Sequence, residues 1–141
     1  MATLQGNAYG PGSYTVSGHA DELLAGTQPE PVMVPITIAS TVTDSGNSPT
    51  TTLRWGTILR LNTSTGKYVA FDATGHEQNS VILTEDVDML GGGSSAVDRV
   101  VSALRAGRVK KSKLIENGGT RGTLTNFDTS KTSGLIVEVG L

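Results

Sequence analysis

Acid-base chemistry in this chain would have to start from two histidines, His19 and His76, because cysteine is absent and no other side chain is an ordinary base near neutral pH. Acids lie close to both: Asp21 and Glu22 beside His19, and Glu77 beside His76. Both histidines fall in glycine-rich tracts, where a general base or a metal shell lacks the rigid element that must hold it, so both are read as solvent-exposed. Serine offers no better nucleophile, since Gly12-Ser13 and Gly93-Ser94 are not the G-x-S-x-G elbow. Glu85, Asp86 and Asp88 begin like a calcium loop, but Met89, Leu90 and a run of glycines occupy the next ligand positions. Gly66-Lys67 is followed by Tyr68, so a phosphate loop lacks its hydroxyl and its first glycine. Gly118 to Gly122 has neither the strand before it nor the helix after it that a dinucleotide fingerprint requires. No catalytic residue, metal site or cofactor is expected, and the chain is not read as an enzyme.

Charge narrows the partners. Arg105, Arg108, Lys110, Lys111 and Lys113 cluster in one short stretch, as phosphate-tracking cations do, yet no aromatic interleaves them and the net charge is -2. They are read as a solvated strand face or a patch for an acidic protein, with neither nucleic acid nor membrane as partner. The first residues lack the basic start and apolar core of a secretory signal, and no apolar run nears the roughly 20 residues of a membrane helix, so a soluble product is expected. Asn62-Thr63-Ser64 matches the glycosylation sequon and is read as chance.

The elements that must position these groups divide unevenly along the 141 residues. No Lys or Arg occurs before Arg54, and the leader is rich in Gly, Thr, Ser and Pro. Such a tract cannot bury enough apolar surface to offset its ordering entropy. Residues 1–50 are therefore expected to be an extended arm that needs a partner, and 51–141 a small β-rich domain helped by oligomerisation. A helical turn is expected at Ala20 to Ala25, ended by Gly26, and an edge strand near 32–39, where Val32, Val34, Ile36 and Ile38 alternate and Pro35 forbids a fully paired interior strand.

Leu53 to Leu61, with a bend at Gly56, and Lys67 to Phe71 predict a hairpin joined through Asn62 to Gly66. Ser80 to Thr84 is a further short strand and Leu135 to Val139 the last one. Between Ser95 and Gly107 two patterns compete: Val97, Val100, Val101 and Leu104 have helical spacing, while Val97, Val101 and Ala103 share one face of a strand. In the second case Ala106-Gly107 becomes a hairpin turn into Arg108 to Ile115. Thr125 to Ser133 is read as a short helix closed by Gly134.

Leu23-Leu-Ala-Gly26, Leu53-Arg-Trp-Gly56-Thr-Ile-Leu59, Gly66-Lys-Tyr-Val-Ala-Phe-Asp72, Val81-Ile-Leu-Thr-Glu-Asp-Val-Asp88 and Ala106-Gly-Arg-Val-Lys-Lys-Ser-Lys-Leu114 occur in an order and spacing that resembles the head-decoration proteins of tailed bacteriophages. The resemblance covers about residues 20–115. It implies a mainly β domain, a small β-barrel or β-tulip with one or two short helices behind an N-terminal arm, and it selects strand for 95–106. It also implies a non-catalytic homotrimer, made in the host cytoplasm, that sits on the outer capsid surface of the virion and binds the major capsid protein. The family's C-terminal helix is matched poorly by Thr125 to Ser133.

On this reading the arm meets the capsid through Tyr9, Tyr14, Leu23 and Leu24 as large side chains among small ones, and through strand addition around Thr37, Thr41 and Thr43. Trp55, the single tryptophan, is expected at a trimer contact or in the core. The alternative is a carbohydrate-binding or adhesin-like β-module, disfavoured by aromatics at only 4%.

Overall fold

A computed structural model describes residues 18–72 and 75–140, apart from the side chain of Asp21. The fold is mainly β. Its strands are β1 (Val32–Ile38), β2 (Thr52–Leu53), β3 (Ile58–Asn62), β4 (Lys67–Ala70), β5 (Ser80–Leu83), β6 (Val87–Asp88), β7 (Arg99–Lys110) and β8 (Leu135–Glu138). One helical turn, α1 (Ala20–Leu23), and two 3-10 turns, Glu77–Asn79 and Lys111–Lys113, complete the set.

The β3–β4 hairpin forms as its sequence predicts, pairing Leu59 with Ala70 through Asn62 with Lys67. Asn62 directs the turn: its carbonyl accepts from Gly66 N at 2.8 Å and its side chain from Ser64 N at 3.0 Å. β5 pairs with β3 on one side and β7 on the other. β1 runs antiparallel to β7 from Val32↔Ala106 to Ile38↔Arg99, then meets β4 in parallel at Ile38↔Tyr68. The ring β1-β4-β3-β5-β7 thereby closes on itself. Along Val32 to Thr37 the pairing of β1 is to β7 alone, which accommodates Pro35.

Both faces of the β3-β5-β7 layer are buried. Leu59, Val81, Leu83 and Ala103 point into the barrel with Ile36, Ile38 and Leu53. Ile58, Ile82 and Leu104 point the other way, into a second core with Leu23, Phe71, Leu114, Val109, Phe127 and Leu135. Strands covered on both faces lose the polar half of their alternation, which is why Ser80 to Thr84 reads as an unbroken apolar run.

Several expectations are corrected. The arm does not extend to residue 50: Leu23 is fully buried, α1 lies on the second core, and Asp44 is buried beside Arg54. Residues 18–50 therefore belong to the body, because β3-β5-β7 needs a cover on its outer face and Leu23 supplies part of it. The strand expected over Leu53 to Leu61 is broken at Gly56, which has φ 89°. Ala106-Gly107 is no hairpin turn, since β7 continues to Lys110 and takes β8 as a parallel partner from Gly107↔Leu135 onward. Leu104 and Val109 share the second core although five residues apart, a spacing that strict alternation would split between faces. Gly107 lies between them at φ 140°, and a Cβ there would stand 3.3 Å from Pro31 Cα.

Residues 125–133 form no helix. The amides of Thr125, Asn126 and Phe127 converge instead on the Glu116 carboxylate at 2.8–3.0 Å. That nest turns Phe127 inward, edge-on to Phe71 with ring centroids 5.0 Å apart.

Candidate interaction surface

The leader joins the body beside Trp55. The Arg54–Thr57 turn leaves Trp55 half-buried and fixes it from both ends: Trp55 N donates to Asp86 Oδ1 at 2.8 Å, and its carbonyl accepts from Arg121 Nη1 at 2.7 Å. The same Nη1 donates to Lys113 O at 2.9 Å, and Arg121 Cζ stands 3.8 Å from the Trp55 ring centroid. His19 stacks on the indole as well, with centroids 4.6 Å apart and planes 13° from parallel. His19 Nδ1 lies 2.8 Å from Glu22 Oε1. Hydrogen bonding with His19 holds the Glu22 carboxyl below its ordinary range. Burial, and next the charge of Arg54, pull the Arg121 guanidinium down.

Backbone bonds complete the junction. His19 N donates to Thr84 O at 2.5 Å and Ala25 N to Arg108 O at 2.8 Å, while Leu24 forms a bridge with Val109. Leu23 is thus committed to the body's own core and is not free to serve as an external anchor, while Leu24, half-buried, packs against that core. Tyr9 and Tyr14 lie outside the described residues. Thr37 is half-buried opposite Val100, whereas Thr41 and Thr43 are exposed. Those two threonines line a groove of about 220 Å³ with Val69, Ala70, Asp72 and Asn117. Trp55, half-buried, packs against the second core.

Several of the residues weighed as acids, bases or ligands are tied into the backbone network. Glu77, buried, accepts from Gly75 N at 2.9 Å and Asp128 N at 3.0 Å. Burial raises its pKa and these amides more than offset that, leaving it lowered. It borders a polar cleft of about 420 Å³ also lined by Gln78, Asn79, Ser130 and Lys131. The His76 carbonyl accepts from Asn79 N at 3.1 Å and Ser80 Oγ at 3.0 Å. Of the acidic cluster, Asp86 holds Trp55 and Asp88 accepts from Leu90 N at 3.0 Å. Among the described residues no three His, Cys, Asp or Glu side chains gather as metal ligands.

In the basic stretch, Arg108 bonds Gln28 O at 3.0 Å and pairs with Glu138. Uncharged surface lies elsewhere: Val100, 73% exposed, stands opposite Thr37 on the β1–β7 ladder, the exposed Val97 precedes β7, and Ile136 and Val139 mark the β8 end. Asp44, Glu116 and Arg121 were not singled out by sequence reasoning, and Glu77 only as a neighbour of His76. Their partners are backbone groups or distant residues, which no local motif encodes.

No family model, curated protein or solved structure matches the chain.

Proposed function

We propose that this protein is a decoration protein of a tailed-phage head, binding the outer surface of the expanded capsid as a trimer and reinforcing contacts between major capsid proteins. The observation that carries this reading is how the segments of the sequence resemblance meet. The Leu53 to Leu59 segment is tied to Val81 to Asp88 through Trp55 N to Asp86 and Leu83 N to Thr57 O at 3.0 Å. It is tied to the Gly66 to Asp72 segment through Phe71 N to Ile58 O at 3.2 Å. Together they build the wall against which His19 is bonded at Thr84 O.

The reading needs no catalytic machinery, and the polar groups described above serve to stiffen the body. Main-chain pairing by a leader demands little side-chain specificity. A single short segment binds weakly, since ordering each residue costs about 1–2 kcal/mol. Three leaders on one trimer raise the combined affinity by about 10²- to 10⁴-fold without any new contact.

Cosedimentation with empty expanded heads tests the proposal. The full chain pellets with the heads, and a chain lacking residues 2–17, which keeps Leu23 and the second core, stays in the supernatant. Full retention of binding by the shortened chain refutes the leader's part, and no binding by the full chain refutes the function.

A further inference from the structure

We infer that Arg121 is a positioning residue for the leader: through Trp55 it holds His19, and the three side chains form a clasp that sets how the chain enters the body at Gly18.

The argument runs from rigid to loose. Arg121 is fixed by two carbonyls from separate parts of the chain, Trp55 O and Lys113 O. Trp55 is held at its own N–H by Asp86, and the next residue, Gly56, bonds Leu83 O at 2.7 Å and accepts from Ile115 N at 2.9 Å. The indole is therefore a preset platform. His19 has far less support. α1 is one turn of four residues, too short to persist alone. Glu22, the polar partner of the imidazole, is more than half exposed, and exposed pairs contribute little. What aligns His19 is its amide bond to Thr84 O and the face of Trp55. Stacking and cation–π contact on one indole make the two neighbours depend on a shared ring. Losing Arg121 frees the ring, and with it His19.

The test uses the full chain in solution, so it is independent of capsid binding. Amide exchange is followed at His19, Leu24 and Ala25, and emission at Trp55, in His19→Ala, Arg121→Ala, the double variant and His19→Phe. Each alanine variant should speed exchange at those amides about tenfold and shift the emission, while amides of β3, β5 and β7 keep their rates. The double variant should be no faster than either single one, because one clasp is lost in each case. His19→Phe, which retains a ring to stack, should restore slow exchange. Unchanged exchange in Arg121→Ala, additive effects in the double variant, or equal acceleration throughout the sheet would each overturn the clasp. The consequence for the shell rests on the function proposed above: Arg121→Ala should then bind expanded heads more weakly. Failure of the wild type to bind heads speaks against that function and leaves the clasp standing.

Discussion

Arg54 and Asp44 meet through a forked ion pair, Nε to Oδ2 at 2.7 Å and Nη2 to Oδ1 at 2.8 Å, with the Arg54 amide donating to the same carboxylate at 3.1 Å. Arg54 also reaches Gly119 O at 2.9 Å, so the pair stitches the loop after β1 to the turn before β3 and to the C-terminal loop. Asp44→Ala leaves that guanidinium without its carboxylate. Since Arg54 keeps partial solvent access, the cost falls at the lower end of the about 3–5 kcal/mol seen when one member of a buried pair is removed. Urea unfolding of the variant measures it.

Acid should unfold the protein by a route that runs through two carboxylates. Burial pushes the Asp44 carboxyl up, but the Arg54 hydrogen bonds and charge more than reverse this and leave its pKa lowered; Glu77 is lowered likewise by its amides. For groups depressed on folding, the stabilisation is complete above their unfolded-chain values, about 4, and is lost as pH falls through the lower folded values. Thermal midpoints should stay flat between about pH 7 and 5 and drop below about pH 4. The combined Asp44→Asn, Glu77→Gln variant should start lower and fall less; a drop as steep as in the wild type would contradict the assignment.

Leu23→Ala separates a core residue from a linker residue. In a free arm it would leave stability unchanged. Fully buried against the second core, it should cost about 2–5 kcal/mol, read as a lower denaturation midpoint.

Glu116→Gln tests the nest at 125–127. An oxygen at the Oε1 position can still accept from the amides of Thr125, Asn126 and Phe127, but the substitution removes the carboxylate charge and turns an N–H₂ toward the Asn126 donor that Oε2 served, so the nest weakens. A cost of about 1–3 kcal/mol is expected, with faster exchange at these three amides measured by NMR.

The parts of the fold that were legible are those whose signal is local. Asn62 to Gly66 announces the hairpin through its own turn bonds, and the alternation of Val32 to Ile38 survives because one face of β1 stays exposed at Pro35. β7 was ambiguous because it serves two cores: Ala103 faces one and the adjacent Leu104 the other, so neither period is clean. Leu23 was misjudged because its burial depends on a surface supplied by Phe71, Leu114 and Phe127, remote in sequence. The same remoteness hid the junction itself. His19 and Arg121 meet on Trp55 from opposite ends of the chain, and nothing near either residue announces the other.

The bond from His19 N to Thr84 O also has a mechanical meaning. Thr84 directly follows β5, the strand flanked by β3 and β7 and covered on both faces. Tension applied at Gly18 passes first to this doubly paired strand, then through Ala25 N and Arg108 O to β7. A pull applied at this point is shared by the central sheet and spares the rim.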